Sequence, residues 1–449
     1  MTLHRMLRAR AAENRPVTAG LIGCGKFASM FLAQVPRTPG LHVRAIADVN
    51  VERARATLAR IGWAAERIVT TAEAGRHGET LLTDGAAAVI ADPRIEVIVE
   101  ATGHAVAGIR HALLAIDAGK HLVMVNVEAD VLAGPVLAAR ARQAGLVYSL
   151  AYGDQPALVC ELVDTLRASG FAVVAAGKGT KYLPSYHAST PATVWAHYGI
   201  ADEDAKAGGM NPQMFNSFLD GTKSGIQMAA VANACDLAAP EDGLAFPPCG
   251  ADDLPLILRP AAEGGVLAAK GMVEVVSSLE RDGRPVHRDL RWGVYAVFEG
   301  ETAYVRRCFA EYGVATDPSG RYAALYRPYH LIGLELGVSI ASVALRGEPT
   351  GAPETWRADV AATAKRPLGA GEVLDGEGGA TVWGKCIPAA RAVAEGTLPI
   401  GLAHGVRLKR AVGAGEVLRW SDVAFDATDE VVRLRRAMEE SHRPAQAAA

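Results

Sequence analysis

The stretch Val17-Thr-Ala-Gly-Leu-Ile-Gly-Cys-Gly-Lys-Phe-Ala28 limits what this chain can fold into more than any other. It reads as a buried strand, a glycine turn and a helix. The turn has the form Gly23-x-Gly25-x-x-Ala28. Gly23 permits the tight turn, Gly25 lets the backbone approach a pyrophosphate, and Ala28 lets the helix pack on the strand. The helix start offers free N–H groups and a positive dipole end to phosphate oxygens. A second strand, Leu41-His-Val-Arg-Ala-Ile-Ala, then ends in Asp48. An acid about 20 residues beyond such a turn suits the hydroxyls of an adenosine ribose. The alternative is a turn that binds nothing, with Asp48 merely starting a loop. The acid favours NAD over NADP, although Arg53 and Arg55 lie close enough to meet a 2′-phosphate.

The alternation continues to about Ala151. Glu96 to Gly103 reads as a strand ending in a turn, and His104 to Ala118 as a helix with Gly119 at its C-cap. His121 to Asn126 and Leu146 to Ala151 are further strands, and Ile68 to Asp84 reads as a polar insertion. Such a pattern predicts an α/β fold, a parallel sheet with helices on both faces. Ligands then lie beyond the carboxyl ends of the strands. Gly23, Gly25, Lys26, Phe27, Asp48, Thr102, Gly103, Asn126 and Glu128 become the candidate cofactor residues, with His104 on the same rim.

Composition closes off other classes. Half of the 449 residues are hydrophobic and the formal net charge is -3, so there is material for a sizeable core and no concentrated basic surface for nucleic acid. No pair among the 6 cysteines has CxxC spacing, which argues against a zinc knuckle or disulfide framework. Cys24 reads as a small filler in the turn. The Arg-rich start has no apolar signal-peptide core, and a short helix is expected from Leu3 to Glu13. No run is apolar enough to span a bilayer. A cytoplasmic protein with a small-molecule substrate is the expectation.

Hydride transfer at a carbonyl needs a proton donor or acceptor near the oxygen, and the glycine rim has few titratable groups. The region after Asp154 should supply them. The strand Phe171 to Ala176 leads into Gly177-Lys-Gly-Thr-Lys181, whose lysines are either cleft groups on a loop or ordinary surface residues. Asn211-Pro212 opens a helical segment with Asp220-Gly-Thr-Lys223 near its middle. Asp220 and Lys223, at i and i+3, would share a face as a catalytic pair or a solvent ion pair. Arg327-Pro-Tyr-His330 precedes an apolar helix expected from Leu331 to Leu345. Arg327 suits a phosphate or carboxylate, and His330 suits proton transfer or a structural cap. Glu128 and Asp130 suit a polyol, a divalent ion such as Mg²⁺, or the first turn of a helix. Lys365-Arg-Pro-Leu-Gly-Ala-Gly-Glu-Val-Leu374 recurs as Lys409-Arg-Ala-Val-Gly-Ala-Gly-Glu-Val-Leu418. Two copies suit a small pseudo-symmetric β-domain, and Asp429 to Ala449 a charged helix with an Ala/Pro tail.

Several stretches together resemble a known group: Gly23-Cys-Gly-Lys, Glu100-Ala-Thr-Gly103, Gly119 to Asp130, Gly177-Lys-Gly179, Asn211-Pro, Asp220-Gly-Thr-Lys223, Arg327 to Leu331 and the C-terminal repeat. They resemble the homoserine-dehydrogenase-like oxidoreductases with a C-terminal SAF domain, and within them the DXR-like proteins, a second type of 1-deoxy-D-xylulose 5-phosphate reductoisomerase. The resemblance implies a Rossmann domain over residues 1–153, an α+β catalytic and dimerisation domain over 154–350, an SAF-like β-domain over 351–430 and a terminal helix and tail over 431–449. It implies a homodimer or higher homo-oligomer, NAD or NADP as cofactor, and a divalent metal in the reductoisomerase case. Lys178, Lys181, Asp220, Lys223, Arg327 and His330 become the candidate catalytic residues. The chain departs from the DXR-like pattern at Gln155, Asn50 and the aromatic loop Tyr182 to His197, and from true homoserine dehydrogenases at Val127. A cofactor-bound sensor or assembly module is the alternative, and the many acid/base candidates speak against it.

Overall fold

The structure, a computed structural model, describes residues 2–71 and 78–443. The chain forms two units: Met1–Leu158 with His330–Glu354, and Val159–Tyr329 with Thr355–Ala449.

The first unit holds β1 (Val17–Ile22), β2 (Leu41–Ala47), β3 (Ile68–Val69), β4 (Thr80–Thr83), β5 (Val97–Glu100), β6 (His121–Met124) and β7 (Tyr148–Leu150). They pair in the order β3-β4-β2-β1-β5-β6-β7, and every pairing is parallel. This is the doubly wound α/β arrangement that the alternation predicts, with β1 and β5 flanking the point where strand order reverses. The sheet continues through β4 and β3 into the region expected to be an insertion, of which residues 72–77 lie outside the described part. Leu21, Val43, Val99 and Val123 form its core with Phe31 and Leu32.

Ile340 and Val343 join that core from the helix Gly337–Arg346. This helix starts later than the apolar run suggests. Gly333, at φ +74°, breaks the run into turns, and a Cβ there would stand 2.6 Å from the Phe27 carbonyl oxygen. The residues after His330 thus press on the first turn of the helix Lys26–Gln34.

The second unit contains a mixed sheet of β8 (Ala172–Thr180), β9 (Met272–Ser277), β10 (Val294–Glu299) and β11 (Tyr322–Arg327), in the order β11-β10-β8-β9. Here β8 corrects the expectation of a strand ending at Ala176. It runs through Thr180, so Lys178 is a strand residue and not a loop residue. The flanking glycines have a cause inside the sheet. A Cβ on Gly177 would lie 1.8 Å from the Glu274 carbonyl oxygen, and one on Gly179 1.9 Å from that of Leu290. They admit neighbouring backbone, with no ligand required.

The helical segment after Asn211 is likewise two helices, Pro212–Leu219 and Thr222–Cys235. Gly221, at φ +90°, turns the chain between them. Asp220 and Lys223 therefore lie on different helices' ends, and i, i+3 spacing does not place them on one face.

The C-terminal part of this unit pairs β12 (Ala358–Ala364) with a later strand, and adds β13 (Val373–Asp375), β14 (Val382–Pro388), β15 (His404–Leu408) and β16 (Val423–Ala424). β12 pairs with β14, and β13-β15-β16 form a second sheet. The sequence repeat is a pseudo-twofold. Leu368 N–H donates to the Val412 carbonyl at 2.9 Å and Val412 N–H to the Leu368 carbonyl at 3.0 Å. Gly371 N–H to Leu408 O and Gly415 N–H to Ala364 O, both 2.8 Å, are the matching flanks. The helix Glu430–Ser441 follows, anchored by fully buried Arg435, which pairs with Asp359 and Glu439. The tail beyond residue 443 lies outside the described residues.

Candidate active site

In the first unit the glycine turn has the geometry its motif requires. Gly23 sits at φ +95°, and a Cβ would stand 2.6 Å from the Ala101 carbonyl oxygen, so only glycine fits. Gly25 is the N-cap of the helix Lys26–Gln34, no side chain caps that helix, and no atom lies within 4 Å of the Cβ position of Gly25. The helix start therefore offers open N–H groups to an anion. The Cβ position of Gly103, at the end of β5, is open in the same way. Lys26, Thr102, Gly103 and His104 are exposed on this rim, and Phe27 is half-buried.

Asp48 is buried beside the turn. Its Oδ2 accepts the Cys24 N–H at 2.8 Å, its Oδ1 accepts the Asn50 N–H at 2.8 Å, and Arg53 Nη2 approaches Oδ1 at 3.1 Å. Arg53 Nη2 also lies 3.4 Å from Oδ2, so the carboxylate holds the loop in shape with two donors on each oxygen. Burial, then Asp48, push the Cys24 thiol up to about 11. Cys24 remains a neutral thiol, a filler as expected.

Asn126 is also buried. Its Oδ1 accepts the Ala129 N–H at 3.1 Å as a helix cap, and its Nδ2 approaches Thr102 Oγ1 at 3.4 Å. Thr102 Oγ1 in turn donates to Glu100 Oε1 at 2.6 Å, which His111 Nδ1 meets at 3.1 Å. Glu100 enters the sequence analysis only within the Glu100-Ala-Thr-Gly103 stretch, with no role assigned, and His111 not at all, although an acid closing the strand Val97-Ile-Val-Glu100 is a signal. Glu128 is half-buried in the first helical turn, and Asp130 turns inward to accept the Tyr148 hydroxyl at 2.8 Å. Burial pushes the Asp130 carboxyl up to about 7, against the lowering effect of Tyr148. His330 is half-buried in this unit.

In the second unit Lys178 is buried on β8 and donates to Gln227 Oε1 at 2.6 Å. Gln227 lies on the helix Thr222–Cys235 one turn after Lys223, so Lys178 and Lys223 share Gln227's side of that helix. Asp220 belongs elsewhere. Its Oδ2 accepts Lys365 Nζ at 2.8 Å, its Oδ1 accepts the Thr222 N–H at 2.8 Å, and both ion-pair partners are buried. Burial raises the Asp220 carboxyl, opposed chiefly by Lys365. Asp220 therefore fixes the start of the helix that carries Lys223. Lys181 leaves β8 toward the His197 carbonyl and the Tyr198 ring, and burial, then Arg291, lower its pKa. Arg327 closes β11 opposite Val294.

The aromatic loop contributes a box that sequence reading noted without assigning a role. His187 stacks on Trp383 at 3.8 Å, and Tyr182 stacks on Phe246 at 4.0 Å. His187 Nδ1 donates to the Asp220 carbonyl at 2.7 Å, and the Tyr182 hydroxyl donates to Nε2 at 2.9 Å. That pattern needs a neutral ring. Burial, followed by Lys365 and Lys385, lowers its pKa to about 4. Among the described residues, no group of three or more His, Cys, Asp or Glu side chains gathers as a metal site, and no Mg²⁺ site is assigned. No helix among them is long and apolar enough to cross a membrane.

Two family models match. Residues 23–149 match the homoserine dehydrogenase NAD-binding domain, and residues 153–336 match the catalytic domain of oxidoreductase DRL. These matches and the fold define a class: an NAD(P)-binding Rossmann domain followed by an oxidoreductase catalytic domain. No curated protein sequence matches the chain. Among solved structures, a homoserine dehydrogenase from Thiobacillus denitrificans aligns at 14% identity over 78% of this chain and 82% of its own, with a TM-score of 0.44. A biliverdin reductase from Synechocystis, bound to biliverdin and NADP⁺, aligns at 17% identity over 37% of this chain and 48% of its own, TM-score 0.27. A scyllo-inositol dehydrogenase from Lactobacillus casei, with NAD(H) and scyllo-inositol, gives 12%, 41%, 48% and 0.27. The chain thus spans about half the length of the latter two.

Proposed function

We propose that the protein is an NAD(P)-dependent oxidoreductase, homoserine-dehydrogenase-like, acting on a small polar carbonyl or alcohol, phosphorylated substrates included. The observation that carries this reading is the uncapped helix start at Gly25, open beside a turn only Gly23 can make. There the pyrophosphate would meet free N–H groups, and Asp48, with Arg53 against it, would take the adenosine ribose. The bound nicotinamide supplies hydride transfer. Lys178, held by Gln227, and Lys223, one turn away, polarise the substrate oxygen and exchange its proton. Asp220 acts as a positioning residue through Thr222. Arg327 and His330 bind anionic groups of substrate or cofactor.

NADH fluorescence should show saturable binding that Gly25→Val abolishes, with NADH bound more tightly than NADPH because of Asp48. Lys223→Met should retain cofactor binding while kcat falls roughly 10²- to 10⁴-fold; unchanged turnover would remove Lys223 from the site. The finer reading is a DXR-like reductoisomerase with an SAF-like C-terminal domain, acting as a homodimer. Complementation of a strain lacking the ordinary reductoisomerase tests it, and failure of an expressed, folded protein would discard it. Analytical ultracentrifugation tests the dimer.

A further inference from the structure

The two repeat copies present equivalent lysines in opposite surroundings. Lys365 is buried, and its ammonium donates to Asp220 Oδ2 at 2.8 Å, the Ser189 carbonyl at 2.7 Å and the Gly379 carbonyl at 2.6 Å. All three of its donors are satisfied. Lys409, at the same place in the second copy, is exposed, and no acid among the described residues pairs with it. It lines a cavity of about 320 Å³ in the C-terminal part of the chain, together with Trp420, Phe425, Arg433 and Arg436. The remaining lining is valine and alanine, and no acid lines it.

The nearby buried acids are already engaged. Glu439 accepts from Arg435 Nε at 2.9 Å, Trp420 Nε1 at 3.1 Å and Arg436 Nη1 at 2.9 Å. Asp422 accepts from Arg410 Nε at 2.7 Å and the Arg419 N–H at 2.8 Å. Lys409 and Arg433 are left as two cations without an ion-pair partner among the described residues. Trp420 and Phe425 add an aromatic corner, their ring centroids 4.9 Å apart and their planes inclined by 55°, with the Arg436 guanidinium 4.8 Å from the Trp420 ring.

We propose that this cavity binds a small organic phosphate carried on a ring of about monosaccharide size. The volume lies at the low end of small-molecule sites, which start at about 300 Å³, and excludes a dinucleotide. Lys409 and Arg433 would take the phosphate oxygens, as Lys365 takes a carboxylate in the first copy. The ring would lie on Trp420. This site lies in the second unit and the glycine rim in the first, and it does not depend on the redox reading.

The test uses the full chain, tryptophan fluorescence and two probes, ribose 5-phosphate and inorganic phosphate. Ribose 5-phosphate should change the emission saturably and bind more tightly than inorganic phosphate. Trp420→Phe should silence the signal, and Lys409→Met with Arg433→Met should weaken binding at least about tenfold. Both substituted side chains are exposed, so the melting temperature should hold. A Gly25→Val chain should bind the probe as well as wild type. Absence of saturable binding up to millimolar probe would overturn the proposal, as would binding that ignores the double substitution. Equal affinity for the two probes would remove the ring from it.

Discussion

Lys365–Leu374 and Lys409–Leu418 differ in sequence only at Pro367/Ala411 and Leu368/Val412, and they fold alike. In each, an Arg pairs with a Glu that also accepts a glycine N–H: Arg366 with Glu372 and Gly369, Arg410 with Glu416 and Gly413. Yet the leading lysine is buried and triply bonded in one and exposed in the other. The turn is thus a local property, fixed within ten residues of chain. The lysine's role is tertiary, because an ammonium can be buried only where carbonyls and a carboxylate await it. Only the first copy lies against Asp220 and the loop at Ser189.

The widest separation between the copies should appear on removing each lysine. Lys365→Met leaves the Asp220 carboxylate buried without its cation, a change expected to cost about 3–5 kcal/mol. Lys409→Met removes an exposed charge and should stay within about 0.5 kcal/mol. Urea denaturation of the two variants measures this directly. Similar losses would mean that the buried pair is not what distinguishes the first copy. Adding Asp220→Asn to Lys365→Met should recover part of the loss, because the carboxylate is no longer charged and alone.

Acid should also strain the first copy selectively, through His187. Its folded-state pKa is depressed to about 4, against about 6.5 for a free imidazole. A depressed pKa means the unfolded chain binds the extra proton first. The stabilisation is therefore complete above pH 6.5 and is lost as pH falls toward 4. The shift corresponds to about 3 kcal/mol at most. Denaturation midpoints measured from pH 7 to pH 4 should fall with a slope that His187→Gln removes. An unchanged slope in the variant would remove His187 as the source of the acid sensitivity.

The same division between local and tertiary causes explains what the sequence disclosed. The Rossmann rim was legible because strand, turn, helix and acid follow one another along the chain, and each small residue has a local steric reason. The pseudo-twofold pairing in the C-terminal part was legible because its two copies repeat in text. Asp220 was misread as Lys223's helical neighbour because its partner, Lys365, lies 145 residues away. Gly221 also breaks the helix that the spacing argument assumed. The glycines around Lys178 signalled close approach correctly, but what approaches is the backbone of Glu274 and Leu290. The His187 box was out of reach for the same reason, since Phe246 and Trp383 come from distant strands and loops. The contribution of residues 337–346 to the Rossmann core likewise depends on a chain return that periodicity does not record.

The smallest predicted effect tests the part of the comparison that should be equal. Glu372→Ala and Glu416→Ala each remove an exposed ion pair and a backbone acceptor from the same turn. Exposed pairs of this kind are worth roughly 0–1 kcal/mol, so both losses should fall in that range. One difference remains. Arg410 also reaches Asp422 Oδ1 at 2.7 Å, so it stays anchored when Glu416 is removed. Arg366 has only Glu372 as an ion-pair partner among the described residues. Glu372→Ala should therefore lower the melting temperature by slightly more than Glu416→Ala. The reverse order would mean that the turn's surroundings, and not its own clamp, set its stability in the second copy too.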